Sequence, residues 1–146
     1  MNKSEILQLL HDKLSDKIDH LERLIAETRA ANNETKSSMG DKYETSREMV
    51  QQEINNLQTQ LNENVKSRNS LKLINTNPHT VIGLGTLVET DKGFFYVAVY
   101  LGEIRFQEKK IFVISTESPL AKAMHGKRIG EEFILNNLKQ TIKNIW

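Results

Sequence analysis

Residues 50–71 read VQQEINNLQTQLNENVKSRNSL. Val50, Ile54, Leu57 and Leu61 stand four, three and four apart, and Val65 and Leu71 prolong the series. A helical period of 3.6 gathers such positions on one side, and the alternation of fours and threes is that of a coiled-coil seam. The intervening residues are all polar, chiefly Gln, Asn and Glu, so this stripe needs a partner. Outward towards the N terminus the same device recurs in Ile6, Leu9, Leu10, Leu14, Ile18, Leu21, Leu24 and Ile25. Between the two stripes lie Ala30 and Ala31 and then the polar, turn-prone run from Asn32 to Gly40. The economical solution is an antiparallel helical hairpin that reverses near residues 32–43. An intermolecular coiled coil satisfies the same periodicity. With residues 5–34 helical, the arm is about 45 Å long at the α-helical rise per residue.

Beyond Asn75 the composition changes. Residues 1–75 hold one glycine, no proline and a single aromatic, Tyr43, whereas residues 76–146 hold both prolines, the other six glycines and all remaining aromatics. The first part carries 11 basic and 12 acidic residues and the second 9 and 7, so neither is strongly charged. Two domains follow: a hairpin over 1–75 with an acidic tip near 38–47, and a small domain over 76–146. In the latter, Val81–Ile82 and Thr86–Glu89 read as strand, broken by Gly83 and Gly85. Asp91-Lys92-Gly93 reads as a hairpin turn into the strand Phe94–Tyr100. Lys110–Ser115, Glu132–Leu135 and Thr141–Trp146 are further strands. Ser118-Pro119 opens a short helix over Leu120–Met124 that Gly126 closes. The expected class is α+β: a helical hairpin, then an antiparallel sheet with one short helix.

Composition excludes several kinds of chemistry. The chain of 146 residues has no cysteine, which removes thiol catalysis, disulfides and thiolate metal sites. Lys plus Arg (20) nearly balance Asp plus Glu (19), so no global charge favours DNA or membrane surfaces. The opening residues MNKSEILQLLHDK lack the apolar run of a signal peptide, and no stretch approaches a membrane span. A cytoplasmic protein is expected. His11, His20, His79 and His125 are scattered without metal-ligand spacing and read as surface residues.

Chemistry concentrates in Gly40-Asp41-Lys42-Tyr43-Glu44-Thr45. Carboxylates three residues apart on one turn can face the same way and share a divalent cation, leaving other coordination positions to water and phosphate. Asp41-x-x-Glu44 also fits a helix capping box, as does Thr45-x-x-Glu48. Spacing alone leaves both readings open.

A second motif, Ile114-Ser115-Thr116-Glu117-Ser118-Pro119-Leu120-Ala121-Lys122-Ala123-Met124-His125-Gly126-Lys127, gives the tip a context. The glycine, aspartate and glutamate of the tip, followed by a strand ending in Ile-Ser, a Ser-Pro helix start and a Gly-Lys, resemble the bacterial Gre family of transcript cleavage factors. The order and spacing match over nearly the whole chain. The resemblance implies a hairpin that enters the secondary channel of RNA polymerase, and an FKBP-like carboxy-terminal domain. Asp41 and Glu44 would there help hold a Mg²⁺ shared with the polymerase and promote cleavage at the 3′ end of backtracked nascent RNA. It implies no stand-alone enzyme, because two carboxylates make a feeble Mg²⁺ site. Neither membrane nor sequence-specific DNA binding is expected.

On this reading Lys36, Lys42 and Arg47 flank the tip as cations for RNA phosphates; ordinary solvated helix charges are the plainer account. Tyr43 either packs within the tip or meets a partner. Ser118 and Pro119 match the family's polymerase-docking segment, or simply start a helix. Gre tips usually continue with Asn-Ala-Glu-Tyr after the glutamate, whereas Thr45-Ser46-Arg47-Glu48 stands here and Tyr43 lies inside the motif. Two alternatives therefore accompany the cleavage reading: a Gre-like regulator that binds without cutting, and a structural coiled-coil adaptor. Prolyl isomerase activity has no support in the residues.

Overall fold

The computed structural model describes residues 1–35 and 44–146, with side chains described for 1–32 and 46–146. Helix α1 spans Lys3–Thr35 and α2 spans Glu44–Ser70, followed by a short 3-10 turn, Leu71–Leu73. Asn2 starts α1: its Oδ1 accepts from the Glu5 backbone N–H at 3.2 Å, a side-chain cap for an otherwise orphaned donor. The absence of glycine and proline lets both helices run long.

The chain forms two compact units, one of His11–Arg68 and one that joins Met1–Leu10 to Asn69–Trp146. Within the first, Leu14, Ile18, Leu21 and Ile25 of α1 are buried, as is Ile54 of α2, while Leu57, Leu61 and Val65 are half-buried. Arg68 Nη1 donates to Ser15 Oγ at 3.3 Å, and Thr28 and Ala31 share a crevice with Val50 and Glu53. Residue numbers thus rise along one helix as they fall along the other. The helices are antiparallel, as the two stripes require. The outer face of α2 carries amide pairs one turn apart, Gln51 with Asn55 and Gln58 with Asn62.

The second unit is a six-stranded sheet with one short helix. Its strands are β1 Leu87–Thr90, β2 Gly93–Ala98, β3 Gly102–Phe106, β4 Lys109–Ser115, β5 Glu132–Leu135 and β6 Leu138–Ile145. Helix α3, Pro119–Met124, lies between β4 and β5 in sequence. The spatial order is β3-β4-β2-β1-β6-β5. Antiparallel pairing dominates as expected, but β2 and β4 run parallel, with Phe95 opposite Phe112 and Val97 opposite Ile114. The sheet is therefore mixed. The cause is β3, a strand not apparent in the sequence. It takes the outer edge antiparallel to β4 through the Gln107-Glu108 turn, so β4 returns in the direction of β2. Residues 81–82 are not a strand. Ile82 is nonetheless buried and exchanges backbone hydrogen bonds with the loop after α3, to Lys127 O and from Gly126 N, each at 2.9 Å.

Both faces of the sheet are apolar. Val88, Phe95, Val97, Phe133 and Ile142 pack with Ile82 and with Ala121 and Met124 of α3. The opposite face presents Leu87, Tyr96, Ile104, Ile111 and Val113, all at most 2% exposed. Beyond the sheet and the α3 layer, this unit's buried apolar side chains include Ile6, Leu10, Leu71 and Ile74. These residues come from the start of α1 and the segment after α2.

Candidate functional site

The tip residues Lys36, Asp41, Lys42 and Tyr43 lie outside the described residues. Glu44 is the first residue of α2, and its side chain is likewise outside what is described. The pairing of Asp41 with Glu44, as metal ligands or as a capping box, therefore has no geometry here. Among the described residues no group of three or more His, Asp or Glu is placed to hold a metal ion. Among them, too, no helix is long and apolar enough to cross a membrane.

Arg47 is described and half-buried. It sits in the first turn of α2 and lines a crevice of about 360 Å³ with Glu27, Thr28, Ala31, Asn32, Ser46 and Val50. Its Nε is buried and has no hydrogen-bond partner among the described residues. Part of this guanidinium thus faces the seam of the hairpin, which the sequence, reading Arg47 as a flanking surface cation, did not indicate.

Ser118 and Pro119 have clear structural duties. Ser118 is the N-cap of α3, with φ −66° and ψ 148°, and its Oγ accepts from Ala121 N at 3.1 Å while donating to Ser115 O at 2.9 Å. Pro119 occupies the first turn, where its missing N–H costs nothing. The cap orients α3 so that Ala121 and Met124 enter the core. Beside it, a groove of about 400 Å³ is walled by Ile82, Leu84, Val97 and Ala121 and rimmed by Thr116, Lys122 and His125. Thr116, Ala121, Lys122 and His125 belong to the Ile114–Lys127 motif, but the opposite wall comes from Ile82–Leu84 and Val97, so the motif alone does not reveal the groove.

One polar cluster escaped the sequence reading. Lys3, only 5% exposed, reaches the backbone carbonyls of Asn77 and Gly85 and the ring of His79. Burial and the adjacent Lys3 charge lower the His79 pKa, opposed by a hydrogen bond from the ring to the Asn77 backbone carbonyl, and burial lowers that of Lys3. His79 is thus not an ordinary surface histidine. The only available signal was the unusual position of Lys3 on the helix face that also carries Ile6 and Leu10.

No protein-family model and no curated protein matches the chain. Solved structures do. The chain is similar to a structure described as the GreA factor homolog 1 (Gfh1) protein of Thermus thermophilus, at 19% identity over 93% of this chain and 94% of that one, with a TM-score of 0.38. It is also similar to Gfh1 of Thermus aquaticus, at 20% identity over 92% of each chain and a TM-score of 0.36. A third, described as the transcription factor Gfh1, shares 18% identity over 91% of this chain and 89% of that one, with a TM-score of 0.36.

Proposed function

We propose that this protein is a Gre-like transcription elongation factor that binds RNA polymerase through the secondary channel and stimulates cleavage of backtracked nascent RNA. The observation that carries this reading is the place of Gly40-Asp41-x-x-Glu44 in the sequence, ending on the first residue of α2 and following the end of α1, where the two antiparallel helices are joined. A hairpin whose outer surface is polar can enter a narrow aqueous channel, and carboxylates at its bend arrive first. Asp41 and Glu44 would hold Mg²⁺ together with groups of the polymerase. Mg²⁺ so bound lowers the pKa of an attacking water and steadies the departing oxygen. The Ser118-Pro119 motif at the start of α3 adds to the resemblance and would place the sheet unit's docking face on the polymerase.

Addition of the protein with Mg²⁺ to stalled, backtracked complexes of its own polymerase is expected to shorten the RNA from its 3′ end. Asp41→Ala or Glu44→Ala is expected to reduce that rate by at least about 100-fold, the loss of roughly 3 kcal/mol of transition-state stabilisation, with polymerase affinity nearly unchanged. Asp41→Asn separates the two roles of the aspartate, since asparagine still caps a helix but carries no charge. Preserved stability with lost cleavage fits the metal role; preserved cleavage ends it.

A second reading is favoured by one specific feature. Thr45-Ser46-Arg47-Glu48 replaces the residues that follow the glutamate in the Gre pattern, and Arg47 is half-buried in the seam. On this reading the hairpin occupies the channel without cutting. Polymerase binding with unaltered transcript length identifies it, and failure to bind polymerase returns the protein to a coiled-coil adaptor.

A further inference from the structure

The Lys3 cluster lies within the sheet unit and owes nothing to the polymerase reading. Lys3 Nζ donates to Asn77 O at 2.6 Å and to Gly85 O at 3.0 Å, and it lies 3.0 Å from His79 Nδ1. An ammonium has three donors and no acceptor, so these three contacts exhaust it and Nδ1 must present its lone pair. With Lys3 charged, the ring that accepts this bond is neutral and carries its proton on Nε2. An imidazolium has N–H at both nitrogens and no lone pair to offer. Protonation would replace a hydrogen bond by two cations 3.0 Å apart.

The surroundings leave little room for adjustment. A Cβ at Gly85 would stand 3.1 Å from Ile74 Cγ2, 3.3 Å from Asn75 O and 3.5 Å from His79 Cε1, so the loop, the segment after α2 and the ring are in close contact. Among the described residues the charged group acting on the His79 ring is Lys3, from α1. The segment Asn75–Asn77 and Gly85 bring carbonyls and apolar surface but no charge. Among the described residues no carboxylate acts on the ring to absorb a second positive charge.

We propose that Lys3, neutral His79 and the carbonyls of Asn77 and Gly85 form a pH-sensitive latch that holds the first turns of α1 on the sheet unit and releases them on acidification. The folded-state pKa of His79 lies below its ordinary 6.5. A group of this kind leaves the latch intact above the ordinary value and weakens it as pH falls through the lowered one. The segment released is residues 1–10, whose Ile6 and Leu10 are wholly buried in the closed state.

Amide hydrogen exchange of the full chain, corrected for intrinsic rates, tests this at pH 8 and pH 5. Protection over residues 3–10 is expected to fall by about fivefold or more at pH 5, as a local opening distinct from global unfolding, while β2 keeps its protection. His79→Asn retains an acceptor but cannot titrate, and is expected to remove the pH dependence. Lys3→Met keeps the apolar stem without the charge and is expected to give low protection over residues 3–10 at both pH values. Unchanged protection in the wild type between pH 8 and pH 5 overturns the latch. So does pH dependence that survives His79→Asn, or full protection in Lys3→Met at pH 8.

Discussion

Tyr96 on β2 is wholly buried, and its hydroxyl has no hydrogen-bond partner among the described residues. Burial pushes its pKa from 10.0 up to about 12. A phenol that resists ionisation when folded favours the folded state below pH 10 and forfeits that advantage as pH rises towards 12. Tyr96→Phe is expected to leave the protein as stable or up to about 1–2 kcal/mol more stable at pH 7, since an unsatisfied buried hydroxyl is removed without loss of ring packing. It is also expected to abolish part of the stability loss between pH 10 and pH 12, which urea titrations at several pH values would measure. A loss of more than about 1 kcal/mol at pH 7 would show that the hydroxyl has a partner worth keeping. The sequence placed Tyr96 in an aromatic strand. It could not say which face the ring takes, because both faces of this sheet are covered and alternation of polar and apolar residues is lost.

At the scale of elements, the long pieces were legible and the short edge was not. The stripes of α1 and α2 repeat over many turns, and α3 carries its own start and stop in Ser118, Pro119 and Gly126. β3 offers five residues with Glu103 and Arg105 pointing outward and only Ile104 buried, too little pattern to stand out. Its turn is equally obscure. Gln107 and Glu108 hold φ values of +49° and +65°, and the β5–β6 turn places Asn136 and Asn137 at +52° and +64°. Asparagine tolerates that region; glutamine and glutamate pay for it in sterics. The double change Gln107→Asn with Glu108→Gly is expected to stabilise the protein by about 1 kcal/mol, seen as a raised urea midpoint with unchanged slope. The single change Asn137→Gly in the β5–β6 turn should gain less. Equal gains at both turns would mean that backbone strain is not what separates them.

For the molecule as a whole, the change of composition at residue 75 and the boundary of packing fall in different places. Residues 1–10 belong with the sheet, whose first strand begins at Leu87, 77 positions after Leu10. Ile6 and Leu10 are both fully buried there. A chain shortened to begin at His11 loses two such side chains, about 3–6 kcal/mol of apolar burial together, besides the Lys3 contacts. That is a large fraction of the stability of an ordinary domain. Its sheet unit is expected to unfold at a markedly lower urea concentration, followed by Trp146 fluorescence, and an unchanged midpoint would refute the assignment. A fragment of residues 76–146 should be weaker still, lacking Leu71 and Ile74 as well.

The sequence by itself determined the two-helix hairpin, the α+β class and the helix start at Ser118, because each rests on a local period or cap that repeats or closes within a few residues. It also supplied the Asp41 and Glu44 pair on which the proposed activity depends. Only tertiary structure decided the parallel pairing of β2 with β4, the half-burial of Arg47 and the meeting of Lys3 with His79. Those depend on which distant segments share a surface. Burial and charge proximity are properties of that shared surface, and no local pattern of residues encodes them.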